Sequence, residues 1–399
     1  MTRSPSLRAR FAVPFVVAGV IALGAALPSL SSAASPPKLP DISLRQLITK
    51  AESPTVGAFD GTITWTASLG LPNISELSSL GGSSSAGFDW TSLISGSHNV
   101  KVWSDGDGLR LALIGSSSEV DLYSSPSGTW EYDSVDNHAT HFVLPAGATH
   151  EASPGSVAPT PENVGQTILS NLDTWTSATF ATADTIANQP AYVVSLAPRP
   201  GSPGAQNTTL GHVTVAVDAA NGAILRIAVY GVGATSPSLE FGFGSVNFLR
   251  AGAHLPASDF AFSPGPGVSV TSQTGKGGNS GHDAEPGSVG GVQTTGTGWS
   301  QVVVLKGAAD HLQTAALPPK PRLGAPLNGH GPFGGHVRFV KRSDGSNALN
   351  AATTAVQGSW GTGRLLSTNL VSALILPNGD VIAGFVTVAA LEAAAASVG

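Results

Sequence analysis

The sequence predicts a mainly-β fold: one large open antiparallel sheet behind an export signal, with a small α+β unit after it. Three observations predict it. Apolar and polar residues alternate in short runs from Phe59 to Val270, which is the period of a half-buried strand. Turn signals separate the runs, among them Ser125-Pro126-Ser127-Gly128 and Asp218-Ala-Ala-Asn221-Gly222. Of 399 residues, 49 are Gly, 28 are Pro and only 11% are charged, so the core is built from small and β-branched side chains between many turns.

Residues 1–34 have the layout of a secretory signal. Arg3, Arg8 and Arg10 make the basic start, Phe11 to Leu27 is apolar, and Ser31-Ser32-Ala33-Ala34 supplies small residues for cleavage. The rival reading is an uncleaved membrane anchor, but the apolar stretch is short for spanning and contains Pro14. The chain is therefore expected outside the cytoplasmic membrane, in the cell envelope or secreted. Cleavage would remove three positive charges and take the formal charge from −6 to −9. Such a chain has no electrostatic reason to hold nucleic acid or anionic headgroups.

Residues 35–270 form the expected large domain. A Pro-rich tether, 35–40, leads to a helix from Ser43 to Glu52, with Ser43 as cap and Pro54 as stop. From Phe59 the period becomes two: Phe59, Ile63 and Trp65 share a face, and Asp60, Thr62, Thr64 and Thr66 share the other. Residues 70–97, rich in Ser, Gly and Leu, read as a helical or loop insertion able to cover an apolar surface. Alternation resumes through Val100 and Val102, Leu109, Leu111 and Leu113, Val120 and Leu122, then Trp130 and Tyr132. After a Pro- and Ala-rich loop, 145–161, a helix opens at Pro161-Glu162-Asn163 and runs to Leu172. Strands return at 191–196, 212–217, 224–230 and 239–248, and the series closes on Asp259-Phe260-Ala-Phe262-Ser-Pro264. Residues 271–296 have the composition of a flexible Gly/Ser-rich linker. The rest, 297–399, reads as the small α+β domain, with a strand at Gln301–Leu305, a hairpin around Pro377-Asn378-Gly379-Asp380, and an Ala-rich helix capped by Thr387.

Catalytic chemistry finds little purchase. The chain has no Cys, hence no disulfide, thiolate metal site, thiol nucleophile or lipid-anchored N-terminal Cys. His138 and His141 fall on opposite faces of a strand, which does not suit a shared metal. Asp105-Gly-Asp107-Gly resembles the start of a calcium loop, but Ser116 stands where the bidentate acid belongs, so a β-turn is the better reading. No nucleophile elbow or phosphate-cradling loop occurs. Glu119, Asp121, Glu131 and Asp133 could form a carboxylate pair, against the reading that they line exposed polar faces. A secreted hydrolase with a dispersed Ser-His-Asp triad stays as a third reading. The expectation is a binding protein that is not an enzyme and needs no cofactor or metal.

Several segments together resemble the LolA/RseB superfamily of extracytoplasmic lipoprotein carriers and sensors, within which the actinobacterial lipid-binding lipoproteins similar to LppX and LprG fall. They are Phe59-x-Gly61-x-Ile63, Asp105-Gly106 followed by Arg110, Trp130-x-Tyr132-Asp133, Asp218 with Asn221-Gly222, and Phe260-x-Phe262-x-Pro264-x-Pro266-Gly267-Val268-x-Val270. The resemblance spans about residues 42–270. It implies an unclosed half-barrel with helices over its concave side and an apolar cavity for lipid or lipoprotein acyl chains, used for transport or sensing. The missing anchor Cys, the 70–97 insertion and the C-terminal domain depart from the small carriers. That domain suits an alternative, an RseB-like regulator that binds a membrane partner such as an anti-sigma factor.

The cavity would be lined by Phe59, Ile63, Trp65, Val100, Val102, Leu111, Leu113, Leu122, Trp130 and Tyr132. A buried acyl chain gains about 0.8 kcal/mol per methylene, enough to hold a lipid without a charged clamp. The competing reading is that these side chains pack a solid core. Arg110 is the charge placed to steer a phosphate or sugar headgroup at the cavity mouth, against an ordinary exposed strand Arg.

Overall fold

The computed structural model describes residues 36–70, 95–106, 108–115, 118–126, 128–143, 160–170, 172, 174–274, 290–307 and 352–398. The expected signal, most of the 70–97 insertion, Asp107, the 145–159 loop and the middle of the expected linker lie outside them.

Helix α1 (Leu44–Glu52) starts on a reciprocal cap: Ser43 Oγ accepts from Gln46 N at 3.3 Å and Gln46 Oε1 accepts from Ser43 N at 2.9 Å. The strands that follow are β1 (Phe59–Ser68), β2 (Ser95–Asp105), β3 (Gly108–Ile114), β4 (Glu119–Ser125), β5 (Gly128–Asp133) and β6 (His138–Val143). Helix α2 (Pro161–Ser170) places Pro161 in its first turn, where a missing N–H costs nothing. Then come β7 (Thr176–Phe180), β8 (Asp184–Ile186), β9 (Gln189–Pro198), β10 (Leu210–Asp218), β11 (Ile224–Gly231), β12 (Leu239–Phe248) and β13 (Ser269–Thr274).

These thirteen strands make one open sheet in the order β13-β6-β5-β4-β3-β2-β1-β12-β11-β10-β9-β7, with β8 beside β9. Every pairing is antiparallel except the last: β13 runs parallel to β6, Ser269 opposite His138 through Thr274 opposite Val143. The expected strand at Asp259–Pro264 is not one. Residues 257–260 form a single helical turn and Phe260 packs on Gly108, so the chain crosses the sheet face before it joins the edge. Residues 271–274, expected in the linker, are part of β13, and 290–295 form β14 (Gly290–Thr295).

The β10–β11 turn shows how turn chemistry fixes local geometry. Asp218 Oδ1 accepts from Ala220 N at 2.8 Å and Asn221 N at 2.7 Å. Gly222 sits at φ 84°, and a Cβ there would collide with the Lys50 carbonyl. Only glycine meets both conditions, and the turn thereby docks on the end of α1.

A second sheet holds β14, β15 (Val302–Lys306), β19 (Val381–Gly384), β18 (Ser372–Ile375), β17 (Gly361–Ser367) and β16 (Thr354–Gly358), in that order. Helix α3 (Val388–Val398) covers one face, its N-terminus capped by Thr387, whose Oγ1 accepts from Ala390 N at 3.4 Å. Val302, Val304, Leu374, Ile382 and Leu391 form the core between them.

The two sheets meet directly. Thr208 Oγ1 donates to Phe385 O at 2.7 Å, Thr209 Oγ1 donates to Leu370 O, and Thr387 N donates to Asn207 O at 2.8 Å. Asn369 reaches the end of β1, donating from its backbone N to Leu69 O at 3.2 Å and from Nδ2 to Ser68 O at 3.0 Å. Trp299, Leu370 and Phe385 are buried in the same apolar core as the large sheet. The C-terminal sheet is docked on the large one through these contacts.

Candidate functional site

Strand register assigns every candidate residue to a face. On the face that carries the helices, the inner face, Phe59, Ile63 and Trp65 of β1 lie in line with Val100 and Val102 of β2, Leu111 and Leu113 of β3, and Leu122 of β4. In the other direction the same face continues into β12 and β11: Trp65 stands opposite Phe241, Ile63 opposite Phe243, and Phe241 opposite Ile227. The aromatic rings meet edge to face, Trp65 and Phe241 at 5.9 Å and Phe59 and Phe243 at 5.8 Å. Ile63, Trp65, Val100, Val102 and Leu111 are buried, while Phe59, Leu113 and Leu122 are half-buried.

Two of the expected lining residues belong elsewhere. Leu122 faces Glu131, so β5 presents Glu131 and Asp133 inward and turns Trp130 and Tyr132 to the outer face. Arg110 is likewise outward, since its neighbour Leu111 points in. It cannot steer a headgroup at the mouth of an inner-face cavity. The four strand carboxylates are also split between faces, Glu119 and Asp121 outward, Glu131 and Asp133 inward, and Asp121 and Asp133 are buried rather than exposed.

The outer face holds a row of planar side chains across five strands. Trp103 faces Arg110, Arg110 faces Tyr123, Tyr123 faces Trp130, and Trp130 faces His141. The Arg110 guanidinium lies 4.6 Å from the Trp103 ring centre and 4.7 Å from that of Tyr123. Trp130 and His141 stack at 4.0 Å. Phe262, from the segment that crosses this face, sits 5.3–5.4 Å from Tyr123, Trp130 and Tyr132. Burial, and then the charge of Asp121, push the Tyr123 phenol up to about 12, so it stays a donor, to Asp121 Oδ2 at 3.3 Å. With the ring faces occupied by one another, this row is a side-chain zipper.

Helix α2 packs on β11 and β12, and α1 packs on α2. Gly165 of α2 lies on Ile224, and Glu162 Oε2 accepts from Ile224 N at 2.7 Å. Burial pushes the Glu162 carboxyl up to about 7, against the opposing effect of the bonds from Ile224 and Gln166. Sequence reasoning saw Glu162 only as a helix start. It also passed over Phe241 and Phe243, although their period of two in 239–248 was a readable signal.

His138 and His141 do lie on opposite faces, one bonded to Ser269 Oγ at 2.9 Å and the other stacked on Trp130. Among the described residues no three His, Asp or Glu side chains converge as metal ligands, and no helix is long and apolar enough to cross a membrane.

No family model and no curated protein matches the chain. Solved structures do. The MucA/MucB complex of Pseudomonas aeruginosa is similar at 13% identity and a TM-score of 0.36, over 88% of this chain and 95% of that one. A LolA superfamily protein from Nitrosomonas europaea is similar at 11% identity and a TM-score of 0.21, over 56% of this chain and 99% of that one. At these scores the likeness carries nothing about function.

Proposed function

We propose that this chain is a binding protein of the cell envelope whose inner face buries the acyl chains of a lipid or lipoprotein, and that it is not an enzyme. The observation that carries this is the length of the apolar row. It crosses β11, β12, β1, β2, β3 and β4 without a charged inward residue among those in register, from Ile227 through Phe241, Trp65, Ile63, Val100 and Leu111 to Leu122. At about 4.8 Å per strand, six strands span roughly 24 Å. Of the two helices on this face, α2, of 10 residues, packs on β11 and β12, and α1, of 9 residues, packs on α2. A row of this length, with Phe59 half-buried at its middle and Leu113 and Leu122 half-buried at its far part, suits a flexible apolar guest. The finer likeness to actinobacterial lipid-binding lipoproteins belongs to the same proposal and rests on the residue motifs.

The test is native mass spectrometry on the exported protein, followed by organic extraction. A stoichiometric lipid supports the reading. A protein that emerges empty and stays empty with palmitate or phospholipid overturns it.

A second reading has its own observation. The C-terminal sheet has α3 on one face, and on the other Leu305, Val381 and Ile375 form a separate apolar patch, with Leu305 and Ile375 only half-buried. A regulator that holds a membrane-protein partner would use such a face. Loss of a co-purifying membrane protein on Leu305→Asp, with the fold intact, would support it.

A further inference from the structure

The inner face changes character at one strand boundary. Val120 and Leu122 of β4 end the apolar rows, and their partners on β5 are Asp133 and Glu131. Beyond them the same rows run through His138 and Thr140 of β6 to Ser269 and Thr271 of β13. An aliphatic surface on β1 to β4 thus meets a polar strip on β5, β6 and β13, side by side on one sheet face. At about 4.8 Å between strands, the strip is roughly 10 Å wide.

The strip carries acid without a strong base to answer it. Strands β4, β5, β6 and β13 contain no Lys or Arg. Glu131 is half-buried, and among the described residues its carboxylate has no hydrogen-bond donor and no ion-pair partner. Asp133 is 5% exposed. Its Oδ1 accepts from Val135 N at 2.8 Å and Asp136 N at 3.4 Å, while its Oδ2 is buried and, among the described residues, unpartnered. His138 stands opposite Asp133 but is bonded through Nδ1 to Ser269 Oγ at 2.9 Å, and no ion pair joins the two. A buried carboxylate oxygen without a donor is costly and calls for a partner. The two carboxylates are two residues apart on one strand face, about 7 Å along the strand, so a single cation can lie between them.

We propose that this strip seats the head of the guest and selects a protonated amine: a cationic amphiphile whose chain runs along the apolar rows toward β1 and whose ammonium meets Glu131 and Asp133. The proposal rests on the acyl-binding reading above and names the class of guest. Sign and donor count carry it. An ammonium brings a positive charge and three N–H donors to groups that only accept. A carboxylate or phosphate head sets another anion against them, beside an apolar surface where solvent screens poorly. A hydroxyl head offers one donor and no charge. The chain contributes alike in every case, so the strip discriminates between guests that the apolar rows hold.

The test is calorimetric titration of the full chain at pH 7 with dodecylamine, 1-dodecanol and laurate, which share a chain length and differ in the head. The wild type should bind dodecylamine about tenfold more tightly than laurate, with the alcohol between them. Glu131→Gln should bring amine and laurate to within about twofold of each other. Glu119→Gln removes the same charge from the outer face of β4 and should keep the wild-type preference, which separates a local seat from the overall negative charge of the chain. Asp133 is left unaltered, because its other oxygen holds the turn after β5. Equal binding of amine and laurate by the wild type overturns the proposal and leaves acyl burial standing. So does a preference that survives Glu131→Gln, or one that falls as far in Glu119→Gln. Binding of none of the three guests overturns the acyl reading and this proposal with it.

Discussion

Arg110 Nη2 lies 3.3 Å from Asp121 Oδ1 on the outer face, and the guanidinium is clasped between the Trp103 and Tyr123 rings. Asp121 is only 4% exposed, so the pair is a buried charge with one cation to answer it. Arg110→Ala should destabilise the protein by about 2–3 kcal/mol, because it strands that carboxylate. Arg110→Lys should recover less than half, since an ammonium cannot stack between two rings. Urea midpoints of the three proteins decide it; equal midpoints would show the clasp to be idle.

Tyr123 sets an alkaline limit. Its phenol is held up at about 12 in the fold, against 10 in an unfolded chain, so the folded state keeps the proton more firmly. That contribution is complete below pH 10 and disappears as pH rises toward 12. Between pH 9 and pH 11 the wild type should lose about 1 kcal/mol more than Tyr123→Phe. Parallel losses in both proteins would contradict the assignment.

Thr208 joins the two sheets. Its buried hydroxyl donates to Phe385 O and accepts from Leu210 N at 3.1 Å. Valine in its place takes the acceptor from Leu210 N and one of two donors from Phe385 O, which keeps Thr209 N at 3.0 Å, at a cost of about 1–3 kcal/mol. The expected outcome is that a single urea transition broadens or splits in two. An unchanged single transition would mean that the shared core of Trp299, Leu370 and Phe385 suffices alone.

The half-buried end of the apolar row offers the cleanest test of cargo. Leu113→Gln and Leu122→Gln each withdraw a side chain worth about 1.5–3 kcal/mol on full burial. Each should weaken palmitate binding about tenfold while costing less stability than Leu111→Asp, which would put a charge into the packed core. Calorimetric titration beside a thermal melt separates the two effects. Retention of full affinity by both variants would move the cargo off this row.

Much of this fold is legible in the sequence, the faces of β5 included. The Phe59–Trp65 alternation and the 125–128 turn were both visible in the sequence. Counting outward from that turn pairs Ser125 with Gly128, Tyr123 with Trp130 and Leu122 with Glu131. This places Trp130 on the face opposite Leu122. Counting from the Asp105–Gly108 turn puts Arg110 beside Trp103 in the same way. Parity outweighs aromatic character here, since period two admits no exception without a bulge. Other features had no local signal. That β13 would pair parallel to β6, and that Thr208 would meet Phe385, are matters of chain path across more than a hundred positions.

Strand β13 has a consequence for how copies of this protein behave together. Its described side chains are exposed, and its register lies along the whole of β6. It works as a self-supplied selvedge, occupying backbone donors and acceptors that a neighbouring molecule would otherwise stitch to. A chain that lost residues 269–274 would present a raw β6 border. At high concentration, two such borders would pair edge to edge.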